Sequence, residues 1–378
     1  IPCVVGTGEG TKVLQTGQYV TVDASHGTVY DGLLAEVLGP APTLEETTSQ
    51  RLVTSTATTE APVTGTKIYV NLGVPERARE ASELPVDGVG LMRMEFILAT
   101  YIGEHPMRLI EQGNAEKFIN TLADGIAKVA EAFSPRPVVL RLSDLKTNEY
   151  RQLKGGENYE IVEDNPMLGW RGASRYVDPA YEPAFRLELA AIKRVRGERG
   201  LKNLHVMVPF VRTPDELKKV LEVMKEEGLS ESHDFEIWMM CEVPSNIILA
   251  DRFARFVKAF SIGSNDLTQL ILGCDRDSAK LAEIFDERDE SVLRAIQHFI
   301  KTVHKYGGKV SICGQAPSEY PSFTEFLIRR GIDSISVNQD VAVATKILVA
   351  QIERKILMES ALSRESSGPS RSAEDIEE

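Results

Sequence analysis

Cysteine is scarce in this chain, and long apolar runs are missing altogether. Its 378 residues include four cysteines, Cys3, Cys241, Cys274 and Cys313, with no CxxC pair and no metal-site spacing. That excludes a disulfide scaffold and a cysteine-based zinc module, and it suits a reducing cytoplasm. No apolar run approaches the roughly 20 residues of a membrane span, and residues 1–20 lack the basic start and apolar stretch of a leader. No membrane role is expected. Positive charge is short as well: 43 Lys and Arg against 56 Asp and Glu leave a net charge of −13. That argues against nucleic acid as a main partner, because phosphate binding needs basic surface. A local basic pocket for a small anion stays open. The 42% hydrophobic content is ordinary for a chain with a full core, and the length allows one large domain plus smaller pieces.

The chain starts at Ile1-Pro2-Cys3 with no Met, as expected of the C-terminal portion of something longer. Residues 1–37 are rich in Gly and β-branched residues, and GQYVTVDASHGTVYDG alternates around a DASHG turn, a hairpin pattern. Residues 38–66 are dense in Thr, Pro and Ala and read as a linker. Residues 359–378 read as a disordered tail. Between them, over 67–358, strand-like and helix-like segments alternate. The strands are KIYVNLG (67–73), DGVGLM (87–92), PVVLRL (137–142), LHVMVPF (204–210), FEIWMMCE (235–242), AFSIG (259–263), KVSICG (309–314) and SISVN (334–338). Each is a short, nearly continuous apolar run, as parallel strands buried on both faces require. The helix pattern is clearest in SVLRAIQHFIKTVHKYGG (291–308), with apolar residues at 292, 293, 296, 299, 300 and 303. Eight βα repeats predict an α/β fold, a closed (β/α)₈ TIM-like barrel. An open doubly wound sheet is the alternative, but no Gly-rich nucleotide turn follows a strand here.

In such a barrel, chemistry sits at the C-terminal strand ends, and the polar residues gather there. Arg93 and Glu95 follow the second strand, and Arg141, Asp144 and Lys146 close the third. Glu242 closes the fifth, Asn265 and Asp266 the sixth, Cys313 the seventh and Asn338 the eighth. Glu242 and Asp266 supply hard oxygen ligands that suit Mg²⁺, or Mn²⁺. Alternatively each caps a helix, although Ser245 is the better cap after Glu242. Arg93, Arg141 and Arg276 suit bidentate capture of a doubly charged anion, or they pair with neighbours, Arg93 with Glu95 and Arg276 with Asp275. Cys313 is either a proton shuttle at the mouth or a small buried hydrophobe. Alternation turns Cys241 towards the helices if Glu242 faces the mouth. The long polar stretch 145–176 contains NPMLGWRG, too apolar for disorder, and is expected to wall the mouth.

The motifs GVGLMRMEF (88–96), RLSDLKTNEY (141–150), NPMLGWRGASRY (165–176), MMCEVPSN (239–246), FSIGSNDLTQ (260–269) and SICGQAPS (311–318) together resemble those of the PEP-utilising enzymes. The likeness is greatest to the branch that makes phosphoenolpyruvate, AMP and phosphate from ATP, pyruvate and water. It implies that residues 1–37 are the end of a swivelling phosphohistidine domain, whose histidine lies upstream of IPCVVG. His26 is read as a turn residue and not as that histidine. The barrel is implied to move a phosphoryl group between phosphohistidine and the pyruvate enolate, in an enzyme completed by the rest of its parent chain. The implied roles are Mg²⁺ on Glu242 and Asp266, and catalytic anion binding by Arg93 and Arg141. Substrate binding is implied for Arg276, Asn265, Asp266, Ser264 and Gly263, and proton exchange for Cys313, with Asp144 and Lys146 supporting the arginines. A homo-oligomer through the barrel is expected. The alternatives are an enzyme I-type phosphotransferase, a pyruvate phosphate dikinase, or an assembly piece using helix 340–360.

Overall fold

The computed structural model describes residues 7, 10–15, 17–23, 28–32 and 61–366. The chain divides into two units, 1–60 and 61–378. In the first, β1 (Val20–Asp23) pairs antiparallel with β2 (Thr28–Asp31), Val20 opposite Asp31 and Asp23 opposite Thr28. This is the hairpin expected from the alternation. Its turn, with His26, lies outside the described residues, as does Cys3.

The second unit is a closed, all-parallel barrel of eight strands. They are β3 (Lys67–Leu72), β4 (Gly88–Arg93), β5 (Val138–Arg141), β6 (Leu204–Val208), β7 (Ile237–Cys241), β8 (Ala259–Ile262), β9 (Lys309–Ile312) and β10 (Ser334–Val337). Closure runs from β10 to β3, with Ser334 opposite Lys67 and Val337 opposite Val70. Every strand matches an apolar run in the sequence, because both strand faces are buried. One face packs outward on helices; the other fills the barrel with Leu91, Val139, Met207, Trp238, Met240, Ala259 and Cys313. Side-chain alternation is visible in β7, where Trp238 and Met240 point inward while Met239 and Cys241 join the helix-facing core.

The principal helices are α1 (Ala115–Phe133), α2 (Glu182–Lys193), α3 (Pro214–Glu226), α4 (Ser264–Leu272), α5 (Glu290–Lys305), α6 (Pro321–Arg329) and α7 (Ala342–Ser366). In α5, Val292, Ile296, Phe299, Ile300 and Val303 are buried, and each large apolar side chain removed from water contributes roughly 1.5–3 kcal/mol. The Asp289 side chain accepts from Ser291 N at 2.8 Å and starts the helix.

Two boundaries differ from the sequence reading. Helix α7 continues to Ser366, past residue 358, so the first part of the expected tail is helical. Residues 65 and 66, expected in the linker, are bound to the barrel: Gly65 N and Thr66 N donate to Glu353 of α7 at 2.9 and 2.8 Å. Leu357, Met358 and Leu362 on α7 are exposed, whereas Ala342, Val349 and Ile352 are buried.

Behind β5, the fully buried Glu188 of α2 accepts from Ser143 Oγ at 2.5 Å and Ser143 N at 3.4 Å. Burial pushes its carboxyl up to about 7 from an ordinary 4.5. The folded state therefore favours the protonated form. That contribution is complete below pH 4.5 and is lost as pH rises through 7. Glu188→Gln keeps the acceptor and cannot ionise. Denaturant titrations are expected to move in its favour, relative to the parent, by on the order of 3 kcal/mol between about pH 4.5 and about pH 8. A stability difference that does not change with pH would contradict this.

Candidate active site

The C-terminal ends of the strands surround a cavity of about 500 Å³. Its wall includes Arg93 at the end of β4, Arg141 at the end of β5, and Glu242 just after β7. Gly263, Asn265 and Asp266 enter after β8, Cys313 and Gly314 after β9, and Arg276 from the turn beyond α4. Residues far apart in sequence thus share one opening. The segment 145–176 supplies Lys146, Glu149, Met167 and Arg171 to the same wall.

Glu242 is buried, and its Oε1 accepts from Phe210 N at 2.6 Å. Its backbone N donates to Asn246 Oδ1 at 3.1 Å, as does Val243 N at 3.0 Å. Asn246, and not Ser245, therefore organises the turn into the next helix; Ser245 Oγ instead donates to Arg212 O at 2.6 Å. Gly263 lets the carboxylate approach closely: a Cβ at that position would lie 2.7 Å from Glu242 Oε2 and displace it. Burial, with Asp266 and Asp144 nearby, pushes the Glu242 carboxyl up to about 8.

Asp266 lies in the first turn of α4, and its carboxylate serves arginines, not the helix end. Arg276 Nη1 donates to Oδ1 at 3.0 Å and Arg171 Nη2 to Oδ2 at 3.2 Å. Arg171 also grips Asp144 twice, Nε to Oδ1 at 3.0 Å and Nη2 to Oδ2 at 2.6 Å. Arg141 Nη2 donates to Glu95 Oε1 at 2.9 Å, and Asp144 lies 3.8 Å from its Nη1. Burial opposes the charge on Arg141, but Glu95 and Asp144 outweigh it and hold its pKa above the ordinary value.

The expected local pairs do not form. Arg141, not Arg93, takes Glu95, and Asp266, not Asp275, takes Arg276. Among the described residues, Arg93 has no ion-pair partner. Desolvation and the nearby Arg141 guanidinium lower its pKa.

Cys313 is buried at the floor, with Sγ 3.6 Å from Ile262 O. Burial pushes its thiol up to about 11, so it carries its proton at neutral pH. Cys241 packs in the helix-facing core. Ser264 departs from the substrate-contacting position expected of it. It is not in the cavity wall, and its Oγ donates to the buried Glu287 carboxylate. Gly314 leaves room for that hydroxyl, since a Cβ there would fall 1.7 Å from Ser264 Oγ. Lys146 lies in the wall and approaches Glu149 at 3.7 Å, not the arginines it was expected to support. Asn338 is not in the wall.

Arg171 is the site residue that the sequence reading missed. Its signal was the arginine inside the apolar NPMLGWRG, since a cation in an apolar wall needs buried partners.

Among the described residues, no three or more His, Cys, Asp or Glu side chains converge as a closed metal cage. Mg²⁺ commonly uses one or two carboxylates, completing its shell with water and substrate oxygens. Glu242 and Asp266 line the same cavity, and Glu242 Oε2 makes no hydrogen bond among the described residues. A cation would offset the desolvation and the acid–acid repulsion that raise the Glu242 carboxyl, so the residues fit Mg²⁺.

A family profile described as "PEP-utilising enzyme, PEP-binding domain" matches residues 46–354. The phosphoenolpyruvate synthase of Aeropyrum pernix is 57% identical over 365 residues, covering 95% of this chain and 44% of that protein. The probable phosphoenolpyruvate synthase of Staphylothermus marinus is 56% identical over 361 residues, covering 95% of this chain and 43% of that protein. The phosphoenolpyruvate synthase of Escherichia coli is 41% identical, covering 94% and 46% respectively. The chain thus spans less than half the length of these curated relatives.

Proposed function

We propose, from the premise that this chain belongs to the PEP-utilising enzymes and carries their PEP-binding domain, that its barrel transfers a phosphoryl group between phosphohistidine and pyruvate enolate. The product in the forward direction is phosphoenolpyruvate. The overall reaction is that of ATP, pyruvate and water giving phosphoenolpyruvate, AMP and phosphate. The phosphohistidine is contributed by another part of the parent protein.

The observation that carries this reading is a separation of charge inside one cavity. Arg93 is a cation without a partner among the described residues, while Glu242 is an acid crowded by other acids. Arg93, with Arg141 and Arg276, receives the phosphoryl oxygens. Guanidinium forks suit three equatorial oxygens carrying spread charge. Asn265 donates to the substrate carboxylate, and the Gly263 turn leaves room for it. Glu242 and Asp266 hold Mg²⁺, which when bound supplies positive charge for the enolate oxygen. Cys313, protonated at neutral pH, exchanges the proton at the methyl or methylene carbon. Arg171 holds Asp266 and Asp144 in place. The same reading includes a homo-oligomer in the cytoplasm; the exposed Leu357, Met358 and Leu362 of α7 support the oligomer.

Calorimetric titration with phosphoenolpyruvate in the presence of Mg²⁺ tests the site. Arg93→Met is expected to weaken binding about 30-fold, the loss of charge-assisted bonds worth about 2 kcal/mol. Its melting temperature should match the parent's, because Arg93 anchors nothing within the fold. Equal affinity in the two proteins would remove Arg93 from the anion site.

A further inference from the structure

Phe210 is the non-glycine residue with positive φ among the described residues, at +48°. A bulky side chain in the left-handed region is unfavourable, because Cβ crowds the following carbonyl. Such a conformation persists where its surroundings over-determine it. Glycine would suit the backbone better, so the ring must repay the strain.

The corner after β6 shows how. Phe210 N points at the site and donates to Glu242 Oε1 at 2.6 Å. Its ring lies beneath two guanidinium groups, Arg171 Cζ at 4.0 Å and Arg212 Cζ at 4.8 Å from the centroid. Arg171 is nearly fully buried, where attraction between a cation and an aromatic face is strongest. Arg212 donates to Gly169 O at 2.5 Å and Ser174 Oγ at 3.1 Å, fastening the wall to the same corner. The wall approaches closely because residue 172 is glycine. A Cβ there would lie 2.6 Å from Phe210 Cβ and 2.7 Å from Pro209 O. Ala173 N completes the join by donating to Pro209 O at 3.1 Å.

We propose that Phe210 is the positioning residue for both charges of the site, its backbone setting the Glu242 carboxylate and its ring setting the Arg171 guanidinium. Arg171 spans Asp144 and Asp266, so the ring governs where Asp266 points although it touches neither acid. This rests on the reading of the cavity as a Mg²⁺ and anion site. It adds an aromatic group, outside the charged set, whose loss would loosen the pole that Arg171 holds.

Oxalate binding to the whole chain, titrated calorimetrically with saturating Mg²⁺, tests it. A parent chain that shows no Mg²⁺-dependent oxalate binding would sink the reading of the site, and this inference with it. Given parent binding, Phe210→Leu is expected to bind oxalate about 10-fold more weakly, and Phe210→Tyr within about 2-fold of the parent. In an Arg171→Met background, Phe210→Leu should cause no further loss, because the ring acts through that arginine. A merely structural residue would not show this dependence on Arg171. Parent-like binding by Phe210→Leu, or losses that multiply in the double variant, would overturn the inference while leaving the site reading intact. If Phe210→Leu does not fold, Phe210→Met takes its place. Failure of both to fold would make Phe210 a residue of the fold alone, which also overturns it.

Discussion

Replacing Glu242 by Gln is expected to weaken Mg²⁺-dependent oxalate binding by about 100-fold or more, with no loss of fold. The two halves of that expectation have separate causes. Gln is nearly the same size and keeps an oxygen to accept from Phe210 N, the 2.6 Å bond that ties β7 to the β6 corner. The backbone bond from Glu242 N to Asn246 is untouched by the change. Without a cation, the parent carries a buried acid raised by desolvation and by Asp266 and Asp144. Removing that acid removes repulsion, so the melting temperature without Mg²⁺ should be equal or higher. With a cation the balance reverses. A neutral amide is a poor ligand for a hard divalent ion, and Asp266, already bonded to Arg171 and Arg276, is left as the charged donor. Calorimetry at fixed Mg²⁺, alongside thermal unfolding with and without Mg²⁺, separates the effects. Unchanged oxalate affinity would take Glu242 out of the cation site.

The second large effect lies behind the wall. Arg175→Met is expected to destabilise the barrel by about 3–5 kcal/mol. Arg175 and Glu160 have fully buried side chains, joined by Nη1–Oε1 at 2.6 Å and Nη2–Oε2 at 2.7 Å. His105 Nε2 adds a contact to Glu160 Oε1 at 2.9 Å. The guanidinium also lies over Trp170 at 3.9 Å, Tyr150 at 4.4 Å and Tyr181 at 4.8 Å. Met recovers part of the packing but leaves Glu160 as a buried charge with His105 as its partner. By contrast, the exposed pair Arg294–Glu290 is worth about 0.2–1 kcal/mol, since water solvates both partners. Adding Glu160→Gln to Arg175→Met should restore part of the loss, because the stranded charge is gone. Urea unfolding of the three variants checks this. A single variant within about 1 kcal/mol of the parent would show that the pair does not hold the wall.

Much of the barrel was legible because its signals are local. A parallel strand buried on both faces is an apolar run wherever it occurs, as IWMMC shows in β7. The stripe at 292, 296, 299, 300 and 303 specifies the buried face of α5 in the same way. The end of α7 was misread because its last residues are mostly polar and show no apolar stripe, while remaining able to propagate a helix already begun; Glu359 there pairs with Arg329 of α6 at 2.8 Å, a contact no local pattern announces. Arg171 was missed because its partners, Asp144 and Asp266, are 27 and 95 positions away.

By itself the sequence determined the strand order, the barrel, and the end at which polar residues collect, since strand period and strand ends are properties of neighbouring residues. Only the tertiary structure decided which charges cancel and which stay open. Arg141 pairs with Glu95 and Arg276 with Asp266, while Arg93 is left without a partner among the described residues. Charge pairing depends on separations of a few ångströms between segments far apart along the chain, and those separations exist only once the barrel has closed.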